Sequence, residues 1–253
     1  MRNISRLRKI YFLRFIGRCV TFLLCLWLYL TDKSVFSVLE RGQFLKTFSP
    51  LHLMWIIWMT DMILQLVPAK HDLALGSKKL FRQYFQPSNL KKSAAQLKQY
   101  LVTAGKLAGG ILLIWIALIA LIGVCHRAGW LGDAELFMIS VAMYVCDLIC
   151  VLFWCPFRLM LKNRCCTTCR IFNWDHMMML TPMIYVGSFY TVSLLIVALI
   201  VWTVWEVTIL IHPERFWWGS NSALTCANCT DKLCTQYCQK LKGKNKSTKG
   251  NAA

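Results

Sequence analysis

Four thiols stand in one short polar stretch near the C-terminus, Cys226, Cys229, Cys234 and Cys238, spaced C-x2-C-x4-C-x3-C. A C-x2-C pair forms a turn that aims both sulfurs at one point, so the array has the donors to hold zinc or an iron–sulfur cluster. The spacing does not separate these metals, and disulfides or reduced, unliganded thiols stay open for the same residues. The array departs from the bacterial ferredoxin run in its middle gap, and Gln239 stands where that run has proline. A second group, Cys165, Cys166 and Cys169, lies in a basic stretch. It is one ligand short of a tetrahedral site, and His176, Cys155 or the tail thiols are its candidate fourth donors.

Which chemistry prevails depends on the compartment each array faces, so the elements that position them come next. The chain has 253 residues, 57% of them hydrophobic and 16% charged. With a mean hydropathy of +0.50, it carries more apolar surface than a soluble domain of this length can hide. The expectation is an all-α integral membrane protein, multi-pass, in the cell membrane. Its net charge of +18 is gathered between the apolar blocks and at both ends. That pattern fits a cytoplasmic face against anionic lipid, and no nucleic-acid-binding motif accompanies it.

Apolar runs place spans near 15–31, 51–67, 107–125, 136–155, 171–186 and 194–212, within a transmembrane domain of residues 1–218. The N-terminal basic residues resemble a secretory signal, but Arg14 and Arg18 interrupt the run and no small-x-small cleavage site follows, so the segment reads as a retained span. Those two arginines lie about one helical turn apart and are expected to snorkel to the headgroups. The segment 32–50 reads as an outer loop against the interface. The 51–67 block is only just long enough for ~30 Å of hydrocarbon. The loop after Pro68 carries eight lysines and arginines against Asp72 and must be cytoplasmic if any loop is. Pro87-Ser88 should cap an amphipathic helix that feeds the third span, where Gly109-Gly110 permits close helix contact.

The segment 171–218 is too long for one ordinary helix and short for two. A hairpin turning near Gly187-Ser188 gives six spans and returns the lysine-rich tail to the cytoplasm; a single tilted span gives five and an external, disulfide-stapled tail. Similar acidic-basic-Phe exits, at Asp32-Lys33 to Phe36 and at Glu214-Arg215-Phe216, hint at a shared side and favour five. The six-span layout brings the cysteine-rich tail, 219–239, to the side of Cys169, where thiols stay reduced. Residues 240–253, rich in Lys, Gly, Asn and Ser, cannot support a core and are expected to be disordered.

Within the apolar runs, Asp61, Asp147 and Glu206 each need a partner, water or the bundle interior, with Arg14, Arg18 or His212 as candidate neighbours. Cys146, Cys150 and Cys155 stand beside Asp147 on the fourth span, which suits either a soft-metal conduit or plain packing. No nucleotide-binding, zincin or nucleophile-elbow motif is present, so no catalytic residue is assigned and enzymatic turnover has no support. The strings 162–175 and 228–238 resemble those of a group of bacterial polytopic membrane proteins with no assigned activity. That resemblance implies a membrane location and supplies no substrate or cofactor. The expected function is a cytoplasmic cysteine-built zinc or iron–sulfur site with a binding or redox-relay role. Soft-metal transport through the fourth span is the alternative.

Overall fold

Backbone polar groups in so apolar a chain are best satisfied within the chain itself, and the computed structural model does this with helices. It describes residues 6–68, 75–88, 93–161, 169–225, 228–229 and 233, and no strand occurs among them. The α-helices are α1 (Arg6–Thr31), α2 (Leu51–Leu66), α3 (Leu75–Lys78), α4 (Ala94–Arg127), α5 (Asp133–Leu152), α6 (Pro156–Met160), α7 (Asp175–Leu180) and α8 (Phe189–Ile211). Four of them, α1, α4, α5 and α8, are long and apolar enough to cross a membrane. The 16 residues of α2 make a shorter apolar helix of about 24 Å at 1.5 Å per residue. Leu13, Leu24, Leu113, Leu121, Ile196 and Leu210 are among the large apolar side chains left exposed on the outer faces. Exposed apolar surface on this scale marks a face meant for lipid or a partner.

The contacts define two ends. At one, Leu7 and Tyr11 of α1 pack with Leu148, Val151 and Leu152 of α5, and Arg215, just past α8, donates to the Leu80 carbonyl at 3.0 Å. The segment after α8 also bonds to the stretch after α3, with Ser222 N–H to the Gln86 carbonyl at 2.8 Å. At the other end Tyr29 of α1 meets Glu135 of α5, and Tyr190 of α8 donates to the Leu51 carbonyl at 2.9 Å. Glu135 also closes the start of α5 by accepting the Gly132 N–H at 2.8 Å. The two acidic-basic-Phe exits therefore lie at opposite ends, with Phe36 on Phe137 and Phe216 on Trp205.

Several local expectations change. Residues 32–50 do not lie flat outside: a 3₁₀ turn, Lys33–Leu39, buries Phe36, Val38 and Leu39 in the core. Asp32 caps that turn, and the Ser34 hydroxyl and N–H that bond to it hold its carboxyl below the usual carboxylate range. The amphipathic helix and third span are one 34-residue helix, capped by Ser93 through its bond to Gln96 N–H rather than by Pro87-Ser88. Gly109 and Gly110 have no atom within 4 Å of where a Cβ would stand, so the close approach falls instead at Gly123, against the Tyr185 ring.

Residues 171–186 form no single helix. They run as a 3₁₀ turn (Ile171–Asn173), α7, and a second 3₁₀ turn (Thr181–Tyr185). Pro182 lacks the N–H that an α-helix would use, and the Thr181 hydroxyl bonds back to the Met178 carbonyl at 2.9 Å, tightening the change of pitch. Phe172 packs with the Leu7–Leu152 cluster while the Tyr185 hydroxyl reaches the Ile119 carbonyl, so this broken segment travels from the first end to the second. At mixed α and 3₁₀ rise that is about 25–30 Å. Gly187 turns the chain with φ 63° before α8 starts at Phe189, earlier than the arm expected from residue 194.

Candidate functional site

A guanidinium inside an apolar bundle has to be paired, and Arg18 is. Its Nη1 donates to Asp147 Oδ2 and to the Tyr144 carbonyl, both at 2.7 Å, and its Nη2 donates to Asp61 Oδ2 at 3.3 Å. The Tyr144 ring, one turn before Asp147, lies 3.7 Å from the guanidinium carbon and adds a cation–π contact. Arg18 therefore does not snorkel to the headgroups: its side chain is 10% exposed and points into the bundle. Arg14 stays outside that pair, over the Tyr11 ring.

The broken segment extends this network. His176 Nε2 stands 3.7 Å from Asp61 Oδ2, and its Nδ1 stands 3.1 Å from Asp175 Oδ1. Gln65, one turn along α2 from Asp61, donates to Asp175 Oδ2 at 3.2 Å. Asp61 thus holds Arg18 on one side and His176 on the other. Asp175 and His176 open α7, just after the 3₁₀ turn Ile171–Asn173, and both side chains face α2, where His176 is 5% exposed. These groups line a cavity of about 280 Å³ together with Arg14 and Asn173. Neither side-chain polar atom of buried Asn173 has a partner among the described residues.

Glu206 on α8 forms a separate anchor. It accepts Trp174 Nε1–H at 2.7 Å and is gripped by the Arg170 guanidinium through both of its oxygens. The candidate neighbours read from the sequence, Arg14, Arg18 and His212, are not its partners; His212 pairs with Glu214 at 3.3 Å. Glu206 therefore fixes where the broken segment starts.

Of the sulfur residues, Cys165, Cys166, Cys226, Cys234 and Cys238 lie outside the described residues. Cys169 is buried, and it shares a small cavity with Lys79 of the α3 end and with Ile209 and Phe216. Burial pushes its thiol up, partly offset by hydrogen bonds from Phe172 and Ile171 N–H, so ligation there needs a cation to stabilise the thiolate. Cys229 is half-buried. Leu233, which precedes Cys234, packs in the cluster of Leu7, Tyr11, Leu148 and Leu152 against which Phe172 also rests, three residues past Cys169. No group of three or more His, Cys, Asp or Glu side chains able to hold a metal occurs among the described residues. His176, a candidate fourth ligand, is engaged by the two aspartates instead.

Cys146, Cys150 and Cys155 do come together, in the wall of an apolar cavity of about 250 Å³ that Cys169, Met178 and Met179 also line. Asp147 and Asp175 belong to the walls of both cavities. Asp61, Asp147 and Glu206 were visible in the sequence as acids in apolar runs. Gln65 and Trp174 were not, because their partners, His176 and Glu206, are 111 and 32 positions away. Compared with known proteins, the chain matches no family model, no curated protein and no solved structure.

Proposed function

We propose that the chain is a six-span protein of the cell membrane that builds a soft-metal site, zinc or iron–sulfur, from the thiols at 165–169 and 226–238. The site lies on the basic, cytoplasmic face and serves binding or redox relay. The observation that carries this reading is the meeting of the two stretches: Leu233 and Phe172 share one hydrophobic cluster, so the flanks of both arrays reach the same end of the bundle. The passage of residues 171–186 between the two ends supports a sixth crossing in place of a tilted single span. The exposed basic groups Lys9, Arg82 and Lys98 suit anionic lipid as a partner at that face.

Soft-metal transport along α5 draws less support. Asp147 is committed to Arg18, which neutralises the carboxylate a passing cation would need. Zinc and iron measured on anaerobically purified protein test the proposal. It expects one of the two near stoichiometry, lost on Cys229→Ser or Cys169→Ser; protein with neither metal, or metal indifferent to both substitutions, overturns it.

A further inference from the structure

The charged cavity carries polar groups that its ion pairs leave over. Asn173 is 4% exposed and lines that cavity, and neither its Nδ2 nor its Oδ1 has a hydrogen-bond partner among the described residues. Trp205 Nε1 and His176 Nε2, of two other residues on the same wall, are likewise buried without a hydrogen-bond partner there. Buried polar atoms are costly unless bonded, so several of them around one space call for a polar occupant. At about 280 Å³ the cavity far exceeds the ~15 Å³ that one water needs. Arg14 marks its mouth: this side chain lines the cavity, is exposed, and lies one turn from Arg18 toward the Leu7 end.

Charge narrows the occupant further. Among the described residues the wall holds three carboxyls, Asp61, Asp147 and Asp175, against the two guanidiniums of Arg14 and Arg18. One more positive charge balances it, and uncompensated charge in an apolar bundle is costly. The described residues offer no group able to hold a metal, whereas His176 stands between two of these carboxyls, 3.1 Å from Asp175 Oδ1 and 3.7 Å from Asp61 Oδ2. Its Nδ1 is taken by Asp175 and by Gln65 Nε2 at 3.0 Å. Nε2 is therefore the nitrogen open to exchange, and 3.7 Å is a separation that a water bridges. The other titratable neighbours are engaged elsewhere. Tyr11 on α1 lies under Arg14, Tyr144 on α5 lies under Arg18, and the α5 thiols line the apolar cavity. Glu206 on α8 is held by Arg170 and Trp174, and Tyr185 bonds to the Ile119 carbonyl.

We propose that the charged cavity is a water-filled proton entry site with His176 as its acceptor. A hydronium ion arriving through the Arg14 mouth gives its proton to Nε2, leaving water behind and an imidazolium held between Asp61 and Asp175. One O–H bond breaks and one N–H bond forms, with no change of oxidation state. Chains of Asp and His inside apolar bundles serve proton movement in this way. Binding is independent of the metal site; only the assignment of the mouth to the cytoplasm rests on the six-span reading.

A proton that enters the bundle moves charge into the membrane, and that movement is the readout. The full chain in liposomes is adsorbed on a supported-membrane electrode and stepped from alkaline to neutral pH. The expected result is a transient current above that of protein-free liposomes. His176→Gln should lose the transient with helix content and metal content unaltered. Asn173→Leu, which keeps the ion pairs and removes the unpartnered amide, should diminish it, and His126→Gln, at the far end, should retain it. No transient from the unsubstituted protein, a transient undiminished in both His176→Gln and Asn173→Leu, or one lost equally in His126→Gln overturns the proposal.

Discussion

Two cavities share a wall in this molecule and solve burial in opposite ways. The one around Arg18 is lined by charges, and four of them are linked: Asp147 and Asp61 on the guanidinium, Asp61 and Asp175 on His176. The one around Cys150 is lined by sulfur, aromatic rings and methionine, groups that tolerate an apolar setting with few hydrogen bonds. The difference teaches where each region is fragile. A charge network loses most when one member is removed, since the others stay behind uncompensated. Removing one thiol from an apolar wall strands no charge, so the expected loss there is smaller.

Substitutions that break this contrast can be ordered by size. Arg18→Met leaves the half-buried Asp61 and Asp147 carboxylates without their cation, and a loss of about 3 kcal/mol is expected, read as a fall of the thermal midpoint in detergent. Adding Asp147→Asn to that variant should recover part of the loss, because one stranded charge is removed. A double variant no better than Arg18→Met alone would show that the pair does not act as a unit. Next, Trp174→Phe deletes the indole N–H that Glu206 accepts, at an expected cost of about 1–3 kcal/mol. The same change should loosen the start of the broken segment, seen as faster hydrogen exchange over 170–176. Smallest is Cys146→Ala on the exposed wall of the thiol cavity, expected within about 1 kcal/mol of the unsubstituted chain by the same melting measurement. If Cys146→Ala proved as damaging as Arg18→Met, the contrast between the two walls would fail.

The sequence carried the long helices well and the joints between them poorly. The apolar runs near 15–31, 136–155 and 194–212 lie within or against α1, α5 and α8, because a long run of one character survives whatever packs on it. Residues 171–186 are equally apolar, yet their shape is decided by Pro182, by the anchoring of Trp174 on Glu206 and by the demand of Asp61 for His176. Those are meetings between distant positions, and local periodicity is silent on them. The same reason explains Arg18. Its place at the start of an apolar run suggests a headgroup anchor, and only the acid on α5, 129 positions on, shows that it faces inward. Gly109-Gly110 misled in a related way, since a small pair offers close approach but does not oblige a neighbour to use it.

Leu233 and the stretch after Cys169 reach one end of the bundle, the end that also bears Leu7 at the start of α1. A paired topology reporter fused after Ala253 measures this directly, using one enzyme active only in the cytoplasm and one active only outside. Activity of the cytoplasmic reporter alone is the predicted result. Activity of the external reporter alone would contradict it, because the two sulfur-bearing stretches could then not meet in one chain.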